Sequence, residues 1–195
     1  MKHDIRLLTL AADTLLKTVT NPLHRKILEN YRRHAMLEVS GRYEEIFAPE
    51  MTVANPFYRV ASADGLTELS GTEEVQDFYR SLIDTGTTVM LLEHENLVVD
   101  DNGFASEALY NTFLTAEAAE EAGHDVPDMD AKYIEQRWIC MIWPYDEQGR
   151  MIGERVYPAP TANLVRCSDD DFVTLEEARV TFEPLLAEYG MPGTA

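Results

Sequence analysis

Glu154 is the first residue in this chain whose type and setting could do chemistry. Residues 132–158 read as two long strands, 133–145 and 150–158, joined by the turn Asp146-Glu147-Gln148-Gly149. The first strand alternates Trp138, Cys140 and Ile142 with Ile139, Met141 and Trp143. Both rows are apolar, so both faces are expected to be covered. The second alternates Ile152, Glu154 and Val156 with Met151, Gly153, Arg155 and Tyr157, which sets Glu154 in the row expected to share a face with Trp138 and Cys140. A carboxyl in an apolar row loses solvation, its pKa rises, and it becomes suited to moving protons near neutral pH. The bland alternative is a twisted strand that returns Glu154 to water or pairs it with Arg137 or Arg155.

His94 interrupts Leu91-Leu92-Glu93-His94-Glu95-Asn96-Leu97, in a row with Met90, Leu92 and Asn96 that is expected to face inward. It could trade protons with a substrate carbonyl or hydroxyl, or be a satisfied structural histidine. Tyr31, Tyr58 and Tyr110 could each aim a phenol at a developing oxyanion. Each would look the same in sequence if its hydroxyl met only a backbone partner. Asn55, before Pro56, could hold a carbonyl or a water, or serve only the turn. Trp138, Cys140, Phe57 and Val156 are expected to line the pocket around Glu154. His24, His34 and His124 have no ligand spacing with carboxylates, and the acidic stretch 115–130 lacks a calcium-loop pattern, so no metal is expected. No glycine-rich dinucleotide loop, phosphate loop or nucleophile elbow is present, and no cofactor is expected.

These side chains need elements to position them. Residues 4–19 place Ile5, Leu8, Ala12, Leu15, Leu16 and Val19 at helical spacing, with Asp4 as cap. Asn21-Pro22 starts a second helix running to about Val39, with Leu23, Ile27, Tyr31, His34 and Ala35 close to one stripe. Gly41 ends it, and a short helix over 42–47 follows. Residues 51–58 read as a short strand that Asn55-Pro56 confines to an edge or a bulge, and 61–70 as a polar loop. A third helix begins at Gly71 with Thr72 as cap and closes at Gly86. Residues 87–99 and 104–114 form a hairpin across Asp100-Asp101-Asn102-Gly103. Residues 115–130 suggest a lid or an interface arm, 161–166 a last strand, and Thr174-Leu175-Glu176-Glu177 a capping box for a C-terminal helix that Pro184 interrupts. Helices interleaved with one strand and then a run of strands make an α+β plan, a curved sheet folded over helices around an apolar cavity. The face expected to lie outside, carrying Ile139, Met141 and Trp143, asks for a cover, which favours a homodimer or higher homo-oligomer.

With 195 residues, one domain is expected, its core over about 22–166, an N-terminal helix over 1–20 and a C-terminal helix over 168–190. The charge of −19, from 16 basic against 35 acidic residues, argues against a nucleic-acid partner. No apolar run approaches the roughly 20 residues of a membrane span, and the first residues lack a secretory pattern, so a cytoplasmic chain is expected. Cys140 and Cys167 are the only cysteines, and Cys140 is expected to be a buried, reduced thiol.

Three segments carry a family resemblance: Phe47-Ala48-Pro49-Glu50-Met51-Thr52-Val53-Ala54-Asn55-Pro56, Gly71-Thr72-Glu73-Glu74-Val75-Gln76-Asp77-Phe78-Tyr79, and Asp146-Glu147-Gln148-Gly149-Arg150-Met151 with Tyr157. In order and spacing they resemble the nuclear transport factor 2-like superfamily, the cone-shaped α+β fold of SnoaL-like polyketide cyclases, ketosteroid isomerases and scytalone dehydratases. The resemblance spans residues 22–160 and implies a curved antiparallel sheet wrapped around three helices, with both termini as additions. Carried over by position, the isomerases' oxyanion tyrosine falls on Tyr31, their general-base aspartate on Asn55 and their second acid on Trp138. The last acid of limonene-type epoxide hydrolases falls on Val156, their water-holding asparagine on Asn55, and a scytalone dehydratase histidine corresponds to His94. The acids such relatives use are therefore missing here, and Glu154 is the one left in the predicted pocket row.

Two functions follow as expectations. One is a cofactor-independent acid–base enzyme (isomerase, cyclase, dehydratase or aldol-type lyase) acting on a small apolar oxygenated molecule, with Glu154, His94 and Tyr31 as its catalytic groups. The other is a non-catalytic binding or scaffold chain, resembling the small subunit of ring-hydroxylating dioxygenases.

Overall fold

Local chemistry sets the helix starts. The computed structural model describes residues 3–62 and 65–194; Met1 and Lys2, which begin the stretch read for a secretory pattern, lie outside the described residues, as do Ala63 and Asp64 of the expected loop. Asp4 caps a tight helical segment, Ile5–Thr9, which continues as α1 (Leu10–Leu16). The Asn21 side chain accepts from the N–H groups of Leu23 and His24, and Pro22 takes the first position of α2 (Pro22–Val39). After β1 (Phe57–Ser62) and β2 (Gly65–Ser70), α3 (Gly71–Asp84) begins with Ser70, not Thr72, at the cap position. The hairpin β3 (Met90–Asp100) and β4 (Gly103–Thr115) leads into α4 (Ala116–Glu121), whose buried alanines pack it onto the sheet. Then come β5 (Lys132–Pro144), β6 (Arg155–Pro158), β7 (Asn163–Cys167) and α5 (Leu175–Tyr189), the last with both halves of the Thr174–Glu177 capping box formed.

The seven strands form one curved, unclosed sheet in the order β2-β1-β6-β5-β4-β3, with β7 beside the first half of β5. Neighbours are antiparallel except β1 and β6, which run parallel. Residues 65–70, expected as loop, are an edge strand; almost every side chain there is exposed, so no alternation marked it. α2 and α3 fill the concave side, and α1 lies along the other edge strand, β3.

The main correction concerns which face is inside. The concave row of β5 is Met141 and Trp143, both buried, with Ile139 packed against them; Trp138 is 43% and Ile142 51% exposed, and Cys140 is exposed too. Glu154 nevertheless points inward. The cause is a bulge. Tyr145 bridges Met151, but Ile142 pairs with Arg155, so residues 152–154 lie opposite only Trp143 and Pro144. One extra residue exchanges the two faces of a strand. Met151 points in before the bulge, and Glu154 and Val156 point in after it, with Val156 opposite Met141. Gly153 makes the bulge possible: its φ is 154°, and a Cβ there would sit 1.9 Å from the Phe57 carbonyl oxygen.

A second bulge lies in β3. Glu93 pairs with Leu109 and Asn96 with Glu107, leaving His94 and Glu95 opposite Ala108 alone. His94 takes φ 53°, the only positive φ of a non-glycine among the described residues. The expected inward row therefore breaks at His94, which is exposed, and Glu95 turns in instead.

Candidate acid–base site

α2 presents Tyr31, His34 and Glu38 along one face, the spacing of successive helical turns. β1 adds Tyr58, α3 adds Tyr79, and the bulge before β6 adds Glu154. Tyr79 donates to Glu154 Oε1 at 2.8 Å, His34 Nε2 lies 2.9 Å from the Tyr79 hydroxyl and 3.4 Å from Glu154 Oε1, and the Tyr58 hydroxyl meets that of Tyr79 at 2.9 Å. Glu38 Oε2 stands 3.6 Å from His34 Nε2, its side chain 18% exposed, while the other five residues are buried.

With Tyr79 donating to Glu154, its oxygen receives from His34 and Tyr58. That puts the imidazole proton on Nε2 and leaves Nδ1 a bare acceptor, and His34 Nδ1 is indeed buried without a partner. Burial pushes the Glu154 carboxyl up to about 7; Glu38 adds to the rise, and His34, Tyr79 and Tyr58 oppose it. Burial also raises Glu38 to about 7 and pushes His34 down to about 4, against the attraction of Glu154. The pair is thus a neutral imidazole beside a carboxyl that changes state near neutral pH.

A second carboxyl shares the interior. Tyr31 donates to Glu95 Oε1 at 2.7 Å, and burial raises Glu95 to about 7 against the hydroxyls of Tyr31 and Ser106. The Trp143 ring connects the two regions, 4.5 Å from the His34 ring and 5.5 Å from that of Tyr31. Trp143 Nε1 and the Tyr145 hydroxyl are also buried without partners. Among the described residues no group of three or more His, Cys, Asp or Glu is placed to hold a metal ion.

Of the residues singled out in the sequence, Glu154 and Tyr58 lie in the cluster, Val156 is half-buried beside it, and Tyr31 and Tyr110 are buried nearby, Tyr110 donating to the Met141 sulfur. The others lie elsewhere. His94 is exposed at its bulge, and Asn55 is exposed in the bend before β1. Trp138 and Cys140 are on the convex face. Phe57 has the opposite orientation to buried Tyr58 and lies under the guanidinium groups of Arg155 and Arg59, 4.7 and 5.6 Å from the ring centre. Sequence reasoning did not single out His34, Tyr79, Glu38 or Glu95 as candidates. The helical spacing of Tyr31, His34 and Glu38 was a usable signal.

No protein-family model matches the chain, and no curated protein matches it. Solved structures do. A protein described as a SnoaL-like polyketide cyclase from Jannaschia sp. CCS1 is 14% identical with a TM-score of 0.52, over 72% of this chain and 90% of that one. Bal32a, from a soil-derived mobile gene cassette, is 17% identical with a TM-score of 0.49, over 70% and 91%. The chain has the cone-shaped α+β fold of that SnoaL-like structure.

Proposed function

We propose that this chain is a cofactor-independent acid–base enzyme, an isomerase, cyclase, dehydratase or aldol-type lyase, acting on a small apolar molecule with a carbonyl or hydroxyl group. The observation that carries the reading is the Glu154 carboxyl, buried in the concave face, pushed up to about 7 and held by Tyr79 beside a neutral His34. As carboxylate, Glu154 takes a proton from the carbon next to a carbonyl, and the electron pair moves onto the carbonyl oxygen. The Trp143 indole N–H and the Tyr145 hydroxyl are buried donors with no protein partner, suited to that oxyanion. Returning the proton at another carbon gives isomerisation, and attack of the enolate on a second carbonyl gives aldol closure. Glu38, the most exposed member of the cluster, marks the side from which solvent reaches it.

The test is deuterium exchange at the α-carbon of small cyclic ketones, followed by NMR. Glu154→Gln should slow it at least about 100-fold in a protein that still folds. Equal exchange in wild type and variant would rule the assignment out.

A second reading, a non-catalytic assembly subunit, is favoured by the half-exposed Trp138, Ile142 and Tyr157 on the convex sheet face. A second copy of the chain is the simplest cover for that face. A monodisperse monomer in sedimentation, unaffected by Trp138→Glu, would remove the support for it.

A further inference from the structure

We propose that the groove between the N-terminal segment and the bulge of β3 is a second binding site, for a small neutral molecule, largely hydrocarbon, whose carbonyl or ether oxygen is held by Glu95. The groove has a volume of about 750 Å³, walled by Leu7, Leu10, Thr14 and Leu15 on one side and by residues 91–97 of β3 on the other. Leu7 is 45% and Leu10 54% exposed, so aliphatic surface faces a hollow where a neighbouring element would ordinarily pack. Glu95 supplies its polar end. Its Oε1 receives the Tyr31 hydroxyl, while Oε2 is buried with no partner. A carboxyl oxygen withdrawn from water and left unpaired is a place for a ligand group.

The backbone is shaped to present that oxygen. Glu95 faces inward only because of the bulge, and its neighbour His94 holds a left-handed conformation that disfavours any residue with a Cβ. The groups that bear on Glu95 are Tyr31 from α2, and Ser106 and Tyr110 from β4, with His94 next to it in the chain. The N-terminal segment contributes Leu7, Leu10, Ala11, Thr14 and Leu15 to the groove, none of them charged. With no cation against it, Glu95 keeps a proton up to about pH 7, accepting from Tyr31 through Oε1 and donating from Oε2. That favours a neutral oxygen acceptor over an anion, which Glu93 in the same wall would also repel.

The probe is prodan, a neutral naphthalene ketone whose emission reports both burial and hydrogen bonding. Wild type should bind it saturably, and affinity should fall roughly tenfold from about pH 6 to about pH 8 as the carboxyl ionises. Glu95→Gln keeps a donor and an acceptor, and should bind with no such pH dependence. Leu10→Arg, at a half-exposed position that tolerates charge, should weaken binding about tenfold. Binding in Glu154→Gln should match wild type, which separates this site from the buried cluster and from the reaction proposed there. The proposal is overturned if wild type shows no saturable emission change, if Leu10→Arg binds equally well, if the pH dependence persists in Glu95→Gln, or if a naphthyl ammonium of similar size binds more tightly than the ketone.

Discussion

Two bulges place the two carboxyls, and they do so with opposite economy of strain. At residues 152–154 the extra residue comes with Gly153, whose φ of 154° is open to glycine, and Glu154 arrives among Tyr79, Tyr58 and His34. At residues 94–95 the unusual φ falls on a histidine, and Glu95 arrives with one oxygen paired and one bare. One site is locked by its neighbours and the other is left to be completed. A single-residue insertion in a strand is thus enough to move an acid from solvent into an apolar interior, and the partners waiting there decide whether it becomes a fixed network or an open one.

The largest effect should come from Gly153→Ala. The new Cβ meets the Phe57 carbonyl oxygen at 1.9 Å, so backbone must move, and a loss of more than about 3 kcal/mol in urea unfolding is expected. A shift under about 0.5 kcal/mol would mean that the bulge is soft.

Next is pH. Glu38, Glu95 and Glu154 have folded values of about 7 against the ordinary 4.5, so each contributes stability that is full below pH 4.5 and lost as pH rises through 7. His34, held at about 4 against 6.5, acts the other way, contributing above 6.5 and losing that contribution as pH falls through 4. Three groups against one predict that stability declines between pH 4.5 and 7, and that Glu95→Gln with Glu154→Gln flattens the decline. Melting temperatures across that window would show it.

Tyr79→Phe should then cost about 2 kcal/mol by stripping a buried carboxyl of its donor, and Tyr31→Phe only about 1, because Glu95 borders a groove that water can enter. Equal losses would erase the contrast between locked and open. The smallest effect has the opposite sign: His94→Gly should stabilise by up to about 1 kcal/mol, since glycine accepts φ 53° without a steric penalty.

Much of the fold was legible because its punctuation is local. Asn21-Pro22, the turn ending at Gly103 and the Thr174–Glu177 box each act within a few residues, and each formed where its chemistry pointed. The site was less legible for a reason that both bulges share. Alternation tells which residues face together only while the register is continuous, and one inserted residue inverts everything beyond it. In β3 that inversion exposed His94 and brought in Glu95, whose run of Glu93, His94 and Glu95 has no pattern marking which acid turns; before β6 it put Glu154 on the face away from Trp138 and Cys140. Glu154 faces the interior as expected, although the company expected for it, Trp138 and Cys140, lies on the other side of the sheet. His34 shares the Tyr31 stripe, but helical spacing carries no sign of a hydrogen-bond partner or an acid that arrives from a distant strand.

The parallel pairing of β1 with β6 also bears on how the protein is made. Tyr79 and Glu154 are 75 positions apart, and the Phe57 carbonyl that crowds Gly153 also accepts from Arg155, 98 positions further on. None of these contacts can exist until the chain through Arg155 has left the ribosome. Up to that moment β1 has only β2 beside it, and the Tyr58 and Tyr79 hydroxyls await their acid. Closure of the cone is therefore a late, long-range event, slow by the same logic that makes non-local sheets slow. A nascent chain halted near Pro144 would present that unpaired strand edge to whatever chaperone or neighbouring chain met it first.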